Sequence, residues 1–239
     1  ALGAGSDIIF GGCSAGGIRV LAHLDALRGL VSPATGARVV GFADSGFYLD
    51  LPVFTPLKRF VVSDSGQNAT RFLSRACLDA HATEPERCLV AQVAARYLQT
   101  PTFIWQSRYD TDQRSCEMST SCAESRECIE RYGHALANTI RSELLQGSLP
   151  HRKLPIAAAH AANHSSGPAH GPAHGAFIDA CDRHCEDGVP MPLRIATVEG
   201  VSPLQALAIW HRSDGRSPME WQQIASYPCT DCCTGPGSD

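Results

Sequence analysis

The pattern that most constrains this chain lies near its start. Asp7 to Phe10 reads as a short buried strand, and a glycine-rich bend, "GGCSAGG" (Gly11 to Gly17), follows it. Gly16 to Leu30 then carries Ile18, Leu21, Leu24 and Leu27 at helical spacing. Beyond Gly36, a turn residue, Arg38 to Ala43 reads as a second, Val-rich strand. Strand, helix and strand in such close succession predict a βαβ unit, and hence a parallel sheet covered by helices.

The remainder continues that alternation. A helical stretch is expected over Leu89 to Leu98, and Pro101 leads into the β-branched and aromatic strand Thr102 to Gln106. Cys122 to Gln146 predicts one long amphipathic helix, with Ile129, Leu136, Ile140 and Leu144 on one face. Pro155 to Ala159 and Ala176 to Ala180 read as further strands, and Pro203 to Trp210 as a late helix. No composition break divides the chain, so residues 1–239 read as one α/β domain. The low-complexity segment His160 to Gly175 holds four His around a "GPAH" repeat; its Gly and Pro make it a loop, without preformed metal geometry.

Composition excludes several roles. A net charge of −4 with 20 Lys and Arg gives no basic face for nucleic acid or anionic lipid. No apolar run approaches the roughly 20 residues that span a bilayer. Eleven cysteines point to an oxidising, secretory setting, which the sequons at Asn68 and Asn163 support weakly, and their spacing does not match zinc sites. An odd count leaves a thiol unpaired, and Cys13, small and in an apolar turn, is the expected one.

Gly12 to Gly16, "GCSAG", matches the G-x-S-x-G nucleophile elbow, with a strand before it and a helix after it. The glycines are needed sterically, because side chains two residues either side of the serine would strike the strand or helix. The helix N-terminus also offers N–H groups where an oxyanion would form. A serine so placed needs a base, and the base an orienting carboxylate. "TFIWQSRYD" ends a strand at Asp110, with Asp112 competing two residues on, and "AFIDACDRHC" places His184 beyond another strand. Taken singly, each has an ordinary explanation as a turn cap or a surface residue.

"GGCSAGG" with "HLD" (His23 to Asp25), "ADSGFYLD" (Ala43 to Asp50), Cys77 to Gln113 with its Tyr-Asp-x-x-Gln ending, "GAFIDACDRHC" (Gly175 to Cys185) and the late "YPC" (Tyr227 to Cys229) resemble, in order, the pectin acetylesterase and Notum family of serine esterases. The resemblance implies an α/β-hydrolase-like fold and a cofactor-free esterase. It implies Ser14 as nucleophile, Asp110 rather than Asp112 as orienting acid, His184 as base, and the Ala15 N–H as an oxyanion donor. It also implies a Cys77–Cys88 disulfide, a link between the Cys181/Cys185 region and the tail, and Tyr48 at or near the acyl pocket. The family's Gly-Gly-Trp-rich segment would precede residue 1, so the sequence is expected to be N-terminally incomplete. The expected substrate is an O-acetyl ester of a polysaccharide such as pectin. The alternatives are a Notum-like protein deacylase and a hydrolase-shaped binding module.

Overall fold

The computed structural model describes residues 6–52, 55–63, 66, 68–146, 172–185, 197–214, 217–229 and 232–233. Five strands, β1 (Asp7–Cys13), β2 (Arg38–Asp44), β3 (Thr102–Ser107), β4 (Gly175–Asp179) and β5 (Met219–Gln222), form one sheet in that order. Every neighbouring pair is parallel. The helices are α1 (Ala15–Leu30), α2 (Thr55–Val62), α3 (Arg75–Ala80), α4 (Ala91–Ala94), α5 (Thr111–Glu117), α6 (Thr120–Ala123), α7 (Arg126–Thr139) and α8 (Pro203–Arg212).

Alternation along the strands sorts the core into two layers. Val39, Ala43, Ile104 and Ile178 pack beneath Val20, Leu21 and Leu24 of α1 and Leu136 of α7. Val40, Phe103, Trp105 and Phe177 pack on the opposite face under Ala206 and Trp210 of α8. The central strands β2, β3 and β4 are therefore covered on both faces, and the strand ends share one rim. In α/β sheets, sites form at the carboxyl end of the strands.

Several expectations change in the structure. β1, expected to be buried, is the edge of the described sheet, and Ile9 is 52% exposed. Ile8 and Phe10 face α1, while the other side of β1 meets no described helix layer. The expected helix over residues 89–98 is three short pieces: a 3₁₀ segment Pro85–Leu89, α4, and a 3₁₀ turn Ala95–Tyr97. Pro85 starts the first piece at its N-terminus, and the Cys77–Cys88 disulfide ties it to α3. The long helix expected from Cys122 is interrupted at Ser125, whose hydroxyl accepts from the Cys128 N–H and starts α7 afresh. Its last turns, Ile140–Leu145, are π-helical, and the face of Ile129, Leu136, Ile140 and Leu144 is buried as expected. Sequence reading missed β5, whose "MEWQ" alternates apolar and polar residues but is only four residues long. The expected strand at 155–159 and most of the His-rich segment lie outside the described residues.

Candidate active site

β1 ends at Cys13 and α1 begins at Ala15, so Ser14 alone turns strand into helix. It does so at φ 53° and ψ −123°, a conformation a non-glycine residue holds only under constraint. The constraint is twofold. Its N–H donates to the Asp44 carbonyl at 3.0 Å, and its own carbonyl accepts from the Ile18 N–H at 3.0 Å. A Cβ on Gly12 would lie 2.6 Å from the Gly16 carbonyl carbon, so position 12 admits no side chain. A Cβ on Gly16 would meet nothing within 4 Å, which corrects the symmetric steric argument made from the motif. The Ser14 hydroxyl makes no capping bond to α1.

Asp110 follows β3 as the N-cap of α5, as a strand-ending Asp often does. Its Oδ1 accepts from the N–H groups of Asp112 at 3.1 Å and Gln113 at 3.0 Å. The same carboxylate meets His184 Nδ1 at 2.8 and 2.9 Å, and Gln106 Nε2 donates to Oδ2 at 3.3 Å. Asp110 is fully buried, and burial pushes its carboxyl up, against the Gln113 N–H, His184 and Arg183. The structure thus sets Asp110, not Asp112, against Nδ1. Asp112 lies on the other side of the ring, its Oδ2 3.9 Å from Nε2. None of the described hydrogen bonds joins Ser14 to His184.

Beside this pair lies a buried charge cluster that sequence reading did not single out. Arg183 spans two strand ends, reaching Asp44 at 3.2 Å and Asp179 at 2.7 Å, with its guanidinium 3.9 Å over the Trp105 ring. Burial works against its charge, and Asp179 and Asp44 overcome it. Asp44 goes the other way, because burial pushes its carboxyl up by more than Arg183 draws it down. The only sequence signal was position: Arg183 precedes His184, and Asp44 lies within "ADSG".

Ser14 opens onto a cavity of about 490 Å³. Ala15, the first residue of α1, lines it, as do Ile18, Leu49, Val61, Leu89 and Val90, with Arg19, His23, Lys58 and Asp112 as charged or polar lining. Tyr48 is at the Ser14 side, and its hydroxyl donates to Asp112 Oδ2 at 3.1 Å. Burial pushes the Tyr48 phenol up and the Asp112 carboxylate pushes it further, with the Ser14 hydroxyl alone acting against them.

Cys13 is not the free thiol. It pairs with Cys185, and the free cysteine is Cys116, itself exposed, on α5. The sequence could not show this, because the pairing exists only once the His184 loop has crossed the sheet rim to β1. Cys77–Cys88 is present, and Cys181 pairs with Cys233 in the tail. Among the described residues no group of three His, Cys, Asp or Glu could hold a metal ion, and no helix is long and apolar enough to cross a membrane. His174, the described member of the His-rich run, is fully buried and accepts at Nδ1 from the Thr102 N–H.

A strained serine between strand and helix, with an acid and a histidine delivered from later strand ends, is the arrangement of an α/β-hydrolase-like protein. Sequence comparison narrows that class: the chain belongs to the pectinacetylesterase family, whose profile matches residues 1–234. It is 24% identical over 239 residues to pectin acetylesterase 5 of Arabidopsis thaliana, covering 94% of this chain and 51% of that protein. It is 26% identical over 145 residues to palmitoleoyl-protein carboxylesterase NOTUM of Drosophila melanogaster, covering 59% of this chain and 21% of that protein. The solved structure of the Wnt deacylase Notum from Drosophila shares the fold, with a TM-score of 0.66 at 22% identity, over 96% of this chain and 59% of that one. The chain thus spans about half the length of the Arabidopsis relative it matches.

Proposed function

We infer that this chain carries a serine carboxylesterase centre in which Ser14 is the nucleophile, His184 the general base and Asp110 its orienting acid. The observation that carries the reading is the His184–Asp110 hydrogen bond, 2.8 Å between residues 74 apart in sequence. With Nδ1 donating to Asp110, Nε2 is the ring nitrogen left to accept the Ser14 proton. The Ser14 oxygen then attacks the ester carbonyl, and the Ala15 N–H, at the start of α1, donates to the oxyanion. The alcohol leaves with the proton held by His184, and water, deprotonated by the same imidazole, releases the acid.

The substrate we propose is an O-acetyl ester of a polysaccharide such as pectin, because the match to a pectin acetylesterase runs over 94% of this chain. Secretion fits the five disulfides of the described residues. One observation favours a second reading, removal of a long acyl chain. The cavity of about 490 Å³ is largely apolar and exceeds the space of an acetyl group, whose three heavy atoms occupy roughly 100 Å³ at about 30 Å³ each. Tyr48 and Asp112 put polar groups beside Ser14, where they would disfavour a fully apolar chain.

Hydrolysis of p-nitrophenyl acetate and of a long-chain homologue, by the chain and by Ser14→Ala, tests both layers. Ser14-dependent turnover supports the centre, and the ratio of the two rates selects the acyl class. Turnover that survives Ser14→Ala removes the nucleophile assignment. A folded chain with no turnover on either ester, or that no covalent serine probe labels, points to the binding-module alternative.

A further inference from the structure

Ser14 stands at the end of β1 and His184 follows the end of β4, three strands away in the sheet. At 4.7–4.9 Å per strand the gap is about 14 Å, so the segment after β4 must travel back along the sheet rim to bring the imidazole to the serine. Two fastenings mark that route. Arg183 is held over the β2 end by Asp44, and the Cys185 N–H donates to Ser45 Oγ at 2.9 Å. The last step, from β2 to β1, is made by the Cys13–Cys185 disulfide, which joins the residue before Ser14 to the residue after His184. Their Cα atoms are 5.8 Å apart, so one further residue on each side, at 3.80 Å per step, keeps the Cα atoms of Ser14 and His184 within about 13 Å. Cys185, one end of the bridge, and Ser14, the residue after its other end, both hold backbone in the positive-φ region, at 56° and 53°, which costs a non-glycine residue free energy unless the surroundings hold it there.

We propose that the Cys13–Cys185 disulfide is a positioning element of the catalytic centre: it holds His184 over Ser14, and opening it uncouples base from nucleophile while the sheet stays folded. This rests on the triad reading above. The other bridges do different work. Cys77–Cys88 is buried among Val62, Leu73 and Val93, Cys122–Cys128 and Cys229–Cys232 close local turns, and Cys181–Cys233 ties the tail to the core. Cys13 and Cys185 are only partly buried, so a small dithiol can reach them. Its thiolate attacks one sulfur, and its second thiol then displaces the remaining protein sulfur. The dithiol leaves as a cyclic disulfide, and two electrons and two protons end on Cys13 and Cys185.

The test compares C13A/C185A with the wild type and with C122A/C128A, a bridge on α6 and α7 with no residue in the site. On p-nitrophenyl acetate, kcat of C13A/C185A is expected to fall about 10²-fold with KM within about threefold, the size of loss a misplacement near 1 Å produces. C122A/C128A is expected to stay within about threefold on both constants. A kcat within threefold of wild type in C13A/C185A overturns the proposal, as does an equal kcat loss in the control. If C13A/C185A does not fold, graded dithiol is applied to the wild type, activity is read first, and differential alkylation then maps which bridge has opened. Activity should fall in step with opening of Cys13–Cys185 and return on reoxidation; activity that persists with that bridge open overturns the idea. Ser14→Ala and His184→Ala separate the layers, because turnover that survives them sinks the triad reading rather than the brace. Should wild type itself show no Ser14-dependent turnover, amide exchange decides. Opening the bridge must release the Cys185 N–H, bonded to Ser45, and the Thr111 N–H, bonded to the Arg183 carbonyl, and unchanged protection of both overturns the proposal.

Discussion

Asp110→Asn isolates the charge of the acid while keeping its shape. Oδ1 is committed to the N–H groups of Asp112 and Gln113, so the carbonyl of an asparagine must take that place and the cap of α5 survives. The amide nitrogen then falls where Oδ2 now sits, facing Gln106 Nε2 and His184 Nδ1. Gln106 cannot turn to accommodate it, because its Oε1 accepts from the Phe47 N–H at 3.0 Å. Donor therefore meets donor at Gln106, which costs about 1–3 kcal/mol of stability for a buried unmatched group. At His184 the consequence is chemical. Nδ1 keeps the carbonyl oxygen in the Oδ1 place at 2.8 Å but now also meets an amide N–H in the Oδ2 place, which favours the tautomer with the ring proton on Nε2, the nitrogen proposed as base for Ser14. A triad in the wrong tautomer loses about 10⁴ in kcat, or about 5 kcal/mol of barrier at 1.36 kcal/mol per factor of ten. The assay is p-nitrophenyl acetate turnover on protein whose thermal unfolding is still cooperative. A folded Asp110→Asn with kcat within tenfold of wild type would refute the argument. So would a 10⁴-fold loss found in Asp112→Asn and not here.

The other expectations concern the frame. Gly12→Ala drives a Cβ into the Gly16 backbone and should cost roughly 1–3 kcal/mol in denaturant unfolding, whereas Gly16→Ala meets open space in a helix and should gain up to about 1 kcal/mol; the reverse order would contradict the geometry. Arg183→Met leaves Asp44 and Asp179 buried without their cation and should destabilise by about 3–5 kcal/mol, and a loss below about 1 kcal/mol would show that the cluster is not coupled. His174 is pushed down to about 4 by burial, against an ordinary value of 6.5. Its folded value is depressed, so its contribution is complete above about pH 6.5 and drains away as pH falls toward 4, by on the order of 3 kcal/mol. Denaturant midpoints of wild type and His174→Gln across that window check this, and equal pH slopes in the two proteins would count against it.

Local chemistry in the sequence was enough for the elements whose signal is local. β2 and β3 are β-branched or aromatic runs, α1 and α7 carry apolar faces of helical period, and α8 opens with Ser202 and Gln205 closing a capping box around Pro203. The elbow was legible because a strand, one serine and a helix are contiguous. Its glycine logic was half right, since of the two glycines flanking the serine in the motif Gly12 is crowded and Gly16 is not. Asp110 and Asp112 could not be separated by the residues themselves. Both follow β3, and only the fold decides which carboxylate turns inward to cap α5 and meet Nδ1 and which turns out toward Tyr48.

What the sequence determined by itself is therefore the layered parallel fold, because hydrophobic period and turn chemistry act over a few residues at a time. What the tertiary structure decided is how residues from distant strand ends meet. The order β1-β2-β3-β4 separates Ser14 from His184 by three strand spacings, and the segment that closes the gap is held by Asp44, Ser45 and Cys13, all remote from it in the chain. Pairing energies between such residues depend on distances that exist only after the sheet has formed. For that reason Cys13 could be read as a spare thiol in the sequence and yet bridge, in the fold, the two ends of the candidate site.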